Sequence, residues 1–239
     1  MPKRVVPDLA IMLAGGEGTR LRPITYEIPK PLIPVHGKPV SEHIIWELAR
    51  NGVRGIVMAI GYKAEMIEKH FGDGSALGVN IKYSVEDKPL GTGGAAAAAL
   101  SAFKTDGPDD IVITTADNLF EIDLASMYEL HRRAGALATI AVRHVDDVTG
   151  YGVVELSDSE ITSFIEKPDP KIARSRLINA GIYIIKSAAF SRMPDAPFSM
   201  ERDFFHKIAG TGALHAFSMH GRWLPIDTME RYEKAIKEW

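Results

Sequence analysis

An apolar run that opens directly into a glycine-rich loop constrains this chain more than any other feature. Residues 9–14 are all apolar, and three of the next four residues, at positions 15, 16 and 18, are glycines. The cations Arg20, Arg22 and Lys30 follow. Glycines remove the side chains that would keep an anion away from backbone N–H groups, and the cations supply the charge that phosphate oxygens need. The pattern therefore predicts a buried strand that leads into a phosphate-binding loop.

Two common phosphate loops do not fit this stretch. The P-loop needs a Gly-Lys-Ser or Gly-Lys-Thr triplet, and the chain contains neither. A dinucleotide fingerprint that began at Gly16 would need a glycine where Leu21 stands. Residues 91–96 fit a looser form of that fingerprint, but the residues before them are not a buried strand. The loop therefore disfavours both a P-loop enzyme and a Rossmann dehydrogenase.

Strand and helix patterns alternate through the first half of the chain. Apolar periodicity predicts helices at 40–51, 63–71 and 124–134 and an alanine-rich helix after residue 94, while apolar or alternating runs predict strands at 9–14, 55–60, 79–85 and 110–116. Such alternation predicts an α/β fold with a mixed, mostly parallel sheet flanked by helices. Ligands of open parallel sheets bind beyond the carboxyl ends of the strands, where Gly15 and Asp117 would both lie.

From residue 137 the pattern changes to shorter strands. They are predicted at 138–143, 152–156, 161–166, 181–185 and 213–219, with helices at 199–208 and 228–239. We interpret residues 1–239 as a single domain, in which a smaller antiparallel region (about 136–239) adds a wall to a ligand-binding half (about 1–135).

Composition excludes several classes of protein. The chain has no cysteine, so it has no disulfide, thiolate metal site or thiol nucleophile. A net charge of −3 argues against binding nucleic acid by bulk electrostatics. No apolar stretch approaches the roughly 18 residues that a membrane-spanning helix needs. We expect a cytoplasmic protein with small-molecule ligands and no nucleic-acid or membrane partner; a homo-oligomer is compatible with this composition.

The glycine loop belongs to a longer pattern that resembles one family closely, the sugar-phosphate nucleotidyltransferases. Residues 13–21 match its Leu-Ala-Gly-Gly-x-Gly-Thr-Arg-Leu signature, residues 29–31 its Pro-Lys-Pro, and residues 37–39 its Gly-Lys-Pro. The resemblance implies a Rossmann-like nucleotide-diphospho-sugar transferase fold. It also implies that an NTP and a sugar 1-phosphate react to give an NDP-sugar and pyrophosphate, with Mg²⁺ as cofactor.

By this resemblance the first half of the chain holds the nucleotide. Arg20 and Lys30 match the catalytic residues of the family, while Arg22 either assists or is solvated. An ionised Glu86 only accepts hydrogen bonds and would suit the two adjacent N–H donors of guanine, so GTP is favoured modestly over UTP, TTP or CTP. The nucleotide-binding residues that the resemblance implies are Leu13, Ala14, Gly15, Gly16, Gly18, Thr19, Arg20, Glu86, Pro89, Gly91 and Thr92.

Two aspartates are implied as the magnesium ligands. Asp117 matches the first, although the family's preceding glycine is Ala116 here. For the second, the usual Trp-x-Asp has Pro225 in place of the aspartate, but a variant similar to the cytidylyltransferase branch puts it four residues after the tryptophan, at Asp227. The alternative for Asp227 is a cap on the closing helix, and the alternative for Asp117 is a turn residue.

The sugar-phosphate side is implied by three short motifs. Tyr151 and Gly152 resemble an aromatic-glycine pair whose backbone lies against the sugar, Glu166 and Lys167 a Glu-Lys-Pro motif, and Asn179 an Asn-x-Gly motif. Lys167 would bind the sugar phosphate, and Glu166 and Asn179 the hydroxyls. Two rival functions are a regulatory paralogue without turnover and an enzyme that transfers to a non-sugar phosphate such as phosphocholine. The presence of Arg20 and Lys30 weighs against the first, and the Glu166 and Asn179 motifs weigh against the second.

Overall fold

The computed structural model describes residues 6–102 and 108–239. Its strands are β1 (Leu9–Ala14), β2 (Pro34–Val35), β3 (Lys38–Pro39), β4 (Gly55–Ile60), β5 (Asn80–Val85), β6 (Asp110–Thr115), β7 (Asn118–Phe120), β8 (Ala138–His144), β9 (Gly152–Ser157), β10 (Glu160–Glu166), β11 (Leu177–Lys186), β12 (Leu214–Ser218) and β13 (Trp223–Pro225). Its α-helices are α1 (Ile24–Glu27), α2 (Val40–Arg50), α3 (Ala64–Phe71), α4 (Gly91–Ala102), α5 (Leu124–Ala134), α6 (His206–Ile208) and α7 (Met229–Glu238).

Nine strands form one sheet in the order β5-β4-β1-β6-β11-β8-β12-β10-β9. The first four are parallel, with β1 between β4 and β6. Beyond β6 most pairings are antiparallel, apart from the parallel pair of β8 and β12. The predicted α/β fold with a mixed, mostly parallel sheet and a more antiparallel second half is therefore confirmed.

Helices cover both faces of the sheet. Side chains of α2, α3, α5 and α7 pack with those of alternate strand residues such as Met12 and Ile182, and we call this side the α2 face. Helix α4 and a π-helix at Met200–Phe205 pack on the other side, the α4 face, with residues such as Ile11 and Tyr183. Because β1 is buried on both faces, its sequence is apolar throughout.

Three predicted elements differ in the structure. Helix α4 begins at Gly91, so the glycines form its first turn, whereas the sequence predicted a helix only after residue 94. Strand β11 begins at Leu177, four residues before the predicted start, because residues 177–179 pair with β8 across an irregularity that interrupts the alternation. The helix predicted at 199–208 is the π-helix followed by the short α6.

No helix in the described ranges is long and apolar enough to cross a bilayer. The cytoplasmic location and the homo-oligomer stay predictions, because the fold of one chain tests neither of them. The division into halves near residue 135 also stays a prediction.

Candidate active site

The glycine loop lies at the carboxyl end of β1, where the ends of β4 and β5 converge on it. The Gly15 carbonyl accepts from the Tyr62 amide at 3.3 Å. A Cβ on Gly15 would lie 3.0 Å from Oε1 of Glu86. The loop therefore lies directly against the segment that the sequence predicts to recognise the base.

Two features of the backbone at position 18 require a glycine. Its φ of +64° lies in the left-handed region, and a Cβ there would lie 2.9 Å from Cγ2 of Thr25. The Thr25 hydroxyl and the Leu21 amide both donate to the Gly18 carbonyl, at 3.0 and 2.9 Å. This tight turn sends the chain into the short helical turn that carries Arg20.

A cavity of about 220 Å³ opens beside the loop and brings together distant parts of the chain. Predicted residues from the loop, both predicted catalytic cations and both predicted metal ligands line it. The lining residues are Leu13, Ala14, Gly16, Gly18, Thr19, Arg20, Lys30, Pro31, Ala116, Asp117 and Asp227. Arg22 is not among them; it pairs with Glu17 at 3.1 Å on the surface.

The two cations of this cavity are paired with its two carboxylates. Lys30 Nζ lies 2.5 Å from Asp117 Oδ2, and both side chains are largely buried. Arg20 Nη1 lies 2.8 Å from Asp227 Oδ2, although the arginine itself is exposed. Asp227 Oδ1 also accepts from Arg231 Nη1 at 2.8 Å. The charges that would meet a phosphate are thus held in place by internal partners.

The ionisation of Asp117 follows from these contacts. Burial alone would raise the pKa of its carboxyl, but the charge and hydrogen bond of Lys30, a hydrogen bond with Thr115 and the charge of Arg20 hold that pKa below its ordinary value. The carboxyl is therefore charged at neutral pH.

A small two-stranded sheet explains how the two aspartates meet. β7 pairs antiparallel with β13, so Asn118 lies opposite Pro225 and the residues flanking this pair are brought together. The Ile226 amide donates to the Asp117 carbonyl at 3.0 Å. The alternative role of Asp227 as the helix cap is wrong, because the Thr228 hydroxyl caps α7 by accepting from the Arg231 amide.

The donor set fits a hard divalent cation. Two carboxylates line one cavity, and among the described residues there is no cluster of three or more His, Cys, Asp or Glu side chains that would form a complete protein cage. Mg²⁺ is commonly bound through one or two carboxylates together with substrate phosphates. Asp117 and Asp227 therefore suit that cation chemically, while their role as its ligands stays a prediction.

The predicted base-recognition segment lies beside the cavity and outside its lining. Oε2 of Glu86 accepts from the Leu90 amide at 3.1 Å, which orders the 86–90 turn containing Pro89. At Gly91 a Cβ would lie 2.3 Å from the carbonyl oxygen of Phe198, so its glycine is needed for packing. The Thr92 hydroxyl is also committed within the protein, donating to Glu201 at 2.6 Å and accepting from Met200 at 2.9 Å. The Thr92 O–H is therefore not available as a donor to a nucleotide.

Two of the predicted sugar-side residues, Glu166 and Asn179, lie on the α4 face beside groups that the sequence did not identify. Asn179 donates to the Tyr183 hydroxyl at 2.9 Å, and that hydroxyl donates to Glu201 at 3.3 Å. Burial, followed by the charge of Glu201, raises the pKa of Glu166 above its ordinary value. Lys167 lies 3.4 Å from Glu166 and is mostly exposed. Tyr183 and Glu201 had no motif to mark them.

Tyr151 and Gly152 face opposite sides of the sheet. A Cβ on Gly152 would lie 2.8 Å from Glu166 Oε2, on the α4 face. The Tyr151 ring instead contacts Trp223 on the α2 face, with 5.6 Å between ring centroids, and lies 4.5 Å from the Arg231 guanidinium carbon. Only the backbone of Tyr151 is available on the sugar side.

Comparisons with known proteins identify nucleotidyltransferases as relatives over nearly the whole chain. A family model described as nucleotidyl transferase matches residues 9–238. A D-glycero-alpha-D-manno-heptose 1-phosphate guanylyltransferase of Aneurinibacillus thermoaerophilus is 36% identical over 96% of this chain and 97% of that protein. A UTP--glucose-1-phosphate uridylyltransferase of Synechocystis sp. is also 36% identical, but this chain spans only 62% of its length.

Solved structures show the same fold. HddC from Yersinia pseudotuberculosis has a TM-score of 0.82 and 29% identity to this chain, over 96% of this chain and 98% of that one. A second structure of that protein, complexed with GMP-PN, has a TM-score of 0.81 and equal coverage.

Proposed function

Since this chain belongs to the nucleotidyl transferase family, we propose that it transfers a nucleoside monophosphate from an NTP to a sugar 1-phosphate and releases pyrophosphate. One observation carries the proposal. Arg20, Lys30 and the glycine loop meet at a single cavity at the carboxyl end of β1. That is the place where a sheet of this kind binds a phosphorylated ligand.

In this reaction the protein forms no covalent bond with either substrate. The phosphate of the sugar 1-phosphate attacks the α-phosphorus of the NTP, the bond to the bridging oxygen breaks, and pyrophosphate leaves. Because the attacking group is already an anion, no general base is needed. The protein must bring two anions together and neutralise the charge that develops, which is the work of oriented cations and N–H groups.

Binding requires an exchange of ionic partners in the cavity. Lys30 and Arg20 are paired with Asp117 and Asp227 in the protein alone. Phosphate oxygens of the NTP would replace Asp117 and Asp227 as partners of the two cations. These two carboxylates, with Asp227 still paired to Arg231, are the residues that would hold Mg²⁺. Bound there, Mg²⁺ would shield the phosphates and polarise their oxygens.

GTP is the nucleotide that we propose. The carboxylate of Glu86 lies beside Gly15 at the loop, and two acceptor oxygens suit the paired N–H donors of guanine. The heptose 1-phosphate guanylyltransferase and the complex of HddC with GMP-PN support this proposal. The uridylyltransferase has the same 36% sequence identity to this chain, so UTP is the first alternative.

The direct test is a substrate matrix. Purified protein with Mg²⁺ is given each of GTP, UTP, TTP, CTP and ATP against mannose, heptose and glucose 1-phosphates, and pyrophosphate release is followed. We expect release that needs both substrates and is fastest with GTP. Release with no pair, combined with measurable nucleotide binding, would instead indicate a regulatory paralogue.

A change at Glu86 should separate base recognition from catalysis. Glu86→Gln removes one of the two acceptors that guanine would use, so kcat/KM for GTP should fall by about 10- to 100-fold. The value for UTP should change far less. Asp87→Asn, at the exposed neighbouring position, is the matched control. An equal loss for GTP and UTP would show that Glu86 orders the loop without reading the base.

A further inference from the structure

A second cleft lies on the α2 face of the sheet and has a volume of about 360 Å³. Its walls carry four cations and a single carboxylate, Glu238. Trp223 and the ring of Tyr151 contribute aromatic surface to the same cleft. We call it the arginine cleft, and its cations are Arg143, Arg222, Arg231 and Lys234.

The arginine cleft is separate from the predicted sugar site. Glu166 and Asn179 point to the α4 face, where they gather around Tyr183 and Glu201. The arginine cleft opens on the other side, against Trp223. The transfer reaction proposed above gives no role to Arg143, Arg222 or Lys234, and Arg231 enters it only through its contact with Asp227.

Two of the four cations are already neutralised. Arg222 forms an ion pair with Glu121 at 2.8 Å. Arg231 pairs with Asp227 at 2.8 Å.

The other two cations keep most of their charge. The contacts of Arg143 within the described residues include a hydrogen bond to the carbonyl of Gly221 at 2.5 Å and no carboxylate. Lys234 has one ionic partner, Glu238, at 3.9 Å, and both are more than half exposed, so that pair is weak. With Arg143 and Lys234 set against the single carboxylate of Glu238, the cleft keeps a net positive charge, and in a chain with a net charge of −3 this indicates an anionic ligand.

We propose that the arginine cleft binds a phosphorylated small molecule. A guanidinium group and an ammonium group on one wall suit the oxygens of a phosphate ester. The aromatic side chains provide a surface for the apolar or planar part of the same molecule. The volume and concave shape match a small-molecule pocket better than a protein-docking surface.

The test uses phenyl phosphate as the probe, titrated into the full chain by calorimetry. We expect saturable binding that is tighter than that of inorganic phosphate, because the phenyl group adds contact with the aromatic wall, and no binding of phenol. Lys234→Gln and Arg143→Gln should each weaken binding by about tenfold, the value of one charge-assisted contact. Lys237→Gln, which changes an exposed lysine on the same helix outside the cleft, should leave it unchanged.

One further variant decides where the probe binds. Lys30→Ala should leave the phenyl phosphate titration unchanged; loss of binding in that variant, with full binding in Lys234→Gln, would place the probe in the cavity beside the glycine loop and overturn the proposal. Absence of any saturable binding by the wild-type chain would overturn it as well, as would inorganic phosphate binding as tightly as the ester. Thermal melting of each variant checks that the chain is folded, and Arg231 is left intact because it contacts Asp227.

Discussion

Replacing Lys30 with alanine should lower turnover on the best substrate pair by about 10²- to 10³-fold, the usual cost of removing one oriented charge from a desolvated site. The Lys30 side chain is only 13% exposed and lines the cavity beside the glycine loop. The other cation among the lining residues is Arg20, and it could replace Lys30 only by leaving Asp227. The measurement is kcat from pyrophosphate release, with the folded state checked by thermal melting.

A second variant separates two roles for Lys30. If the lysine serves only to neutralise Asp117, then adding Asp117→Asn to Lys30→Ala should restore nucleotide binding measured without Mg²⁺, because no unpaired buried carboxylate would remain. If the lysine acts on the phosphates, the double variant will bind the nucleotide as weakly as Lys30→Ala does. Lys38→Ala is the matched control, because Lys38 lies above the Trp46 ring on the surface. Full turnover in Lys30→Ala would refute the proposed role.

The first half of the fold could be predicted because its signals are local. The run at 9–14 is apolar throughout since β1 is buried on both faces, and the glycines after it follow from backbone needs such as the left-handed φ of Gly18. The predicted bounds of β1, β4 and α5 match those of the structure. Periodicity and turn chemistry are enough to place such elements.

The partners within the site could not be predicted, because they depend on contacts between distant residues. Lys30 and Asp117 are 87 residues apart, and the sequence indicated both without indicating that they pair. The sequence left Asp227 open between metal ligand and helix cap, and its place in the cavity follows only from the pairing of β7 with β13; its role as a metal ligand stays a prediction. These short strands have too few residues to show an alternating pattern.

The sugar side shows a further limit of sequence motifs. Asn179 and Glu166 were indicated by their neighbours in the chain, but Tyr183 and Glu201 became visible only through hydrogen bonds across the α4 face. The π-helix that carries Glu201 has the same apolar spacing as an ordinary helix over one turn, so periodicity could not distinguish them. The committed hydroxyl of Thr92 likewise depends on this π-helix.

Replacing Asp117 with asparagine should lower kcat by about 10²-fold or more and raise the Mg²⁺ concentration needed for half-maximal rate. The change keeps the size of the side chain and removes the charge that pairs with Lys30 and would hold the cation. Because Lys30 helps to hold the pKa of Asp117 below its ordinary value, the wild-type carboxylate stays charged at neutral and mildly acidic pH, and its charge is lost only below the pH at which an ordinary aspartate titrates. The variant should therefore show its deficit across the whole neutral range.

The control for this variant is Asp123→Asn, because Asp123 follows β7 and caps α5 by accepting from the Ser126 amide, a role that asparagine also performs. Its kcat and Mg²⁺ requirement should stay within about twofold of the wild type, as expected for a conservative change at a cap. Binding of Mn²⁺ with a non-hydrolysable nucleotide, followed by electron paramagnetic resonance, gives a readout that does not depend on turnover. Asp117→Asn should weaken this binding while nucleotide binding without metal persists, since the loop and Lys30 are intact. Equal metal affinity in the two variants would mean that Asp117 orients Lys30 and is not a ligand, because only a ligand loses a bond to the cation when its charge is removed.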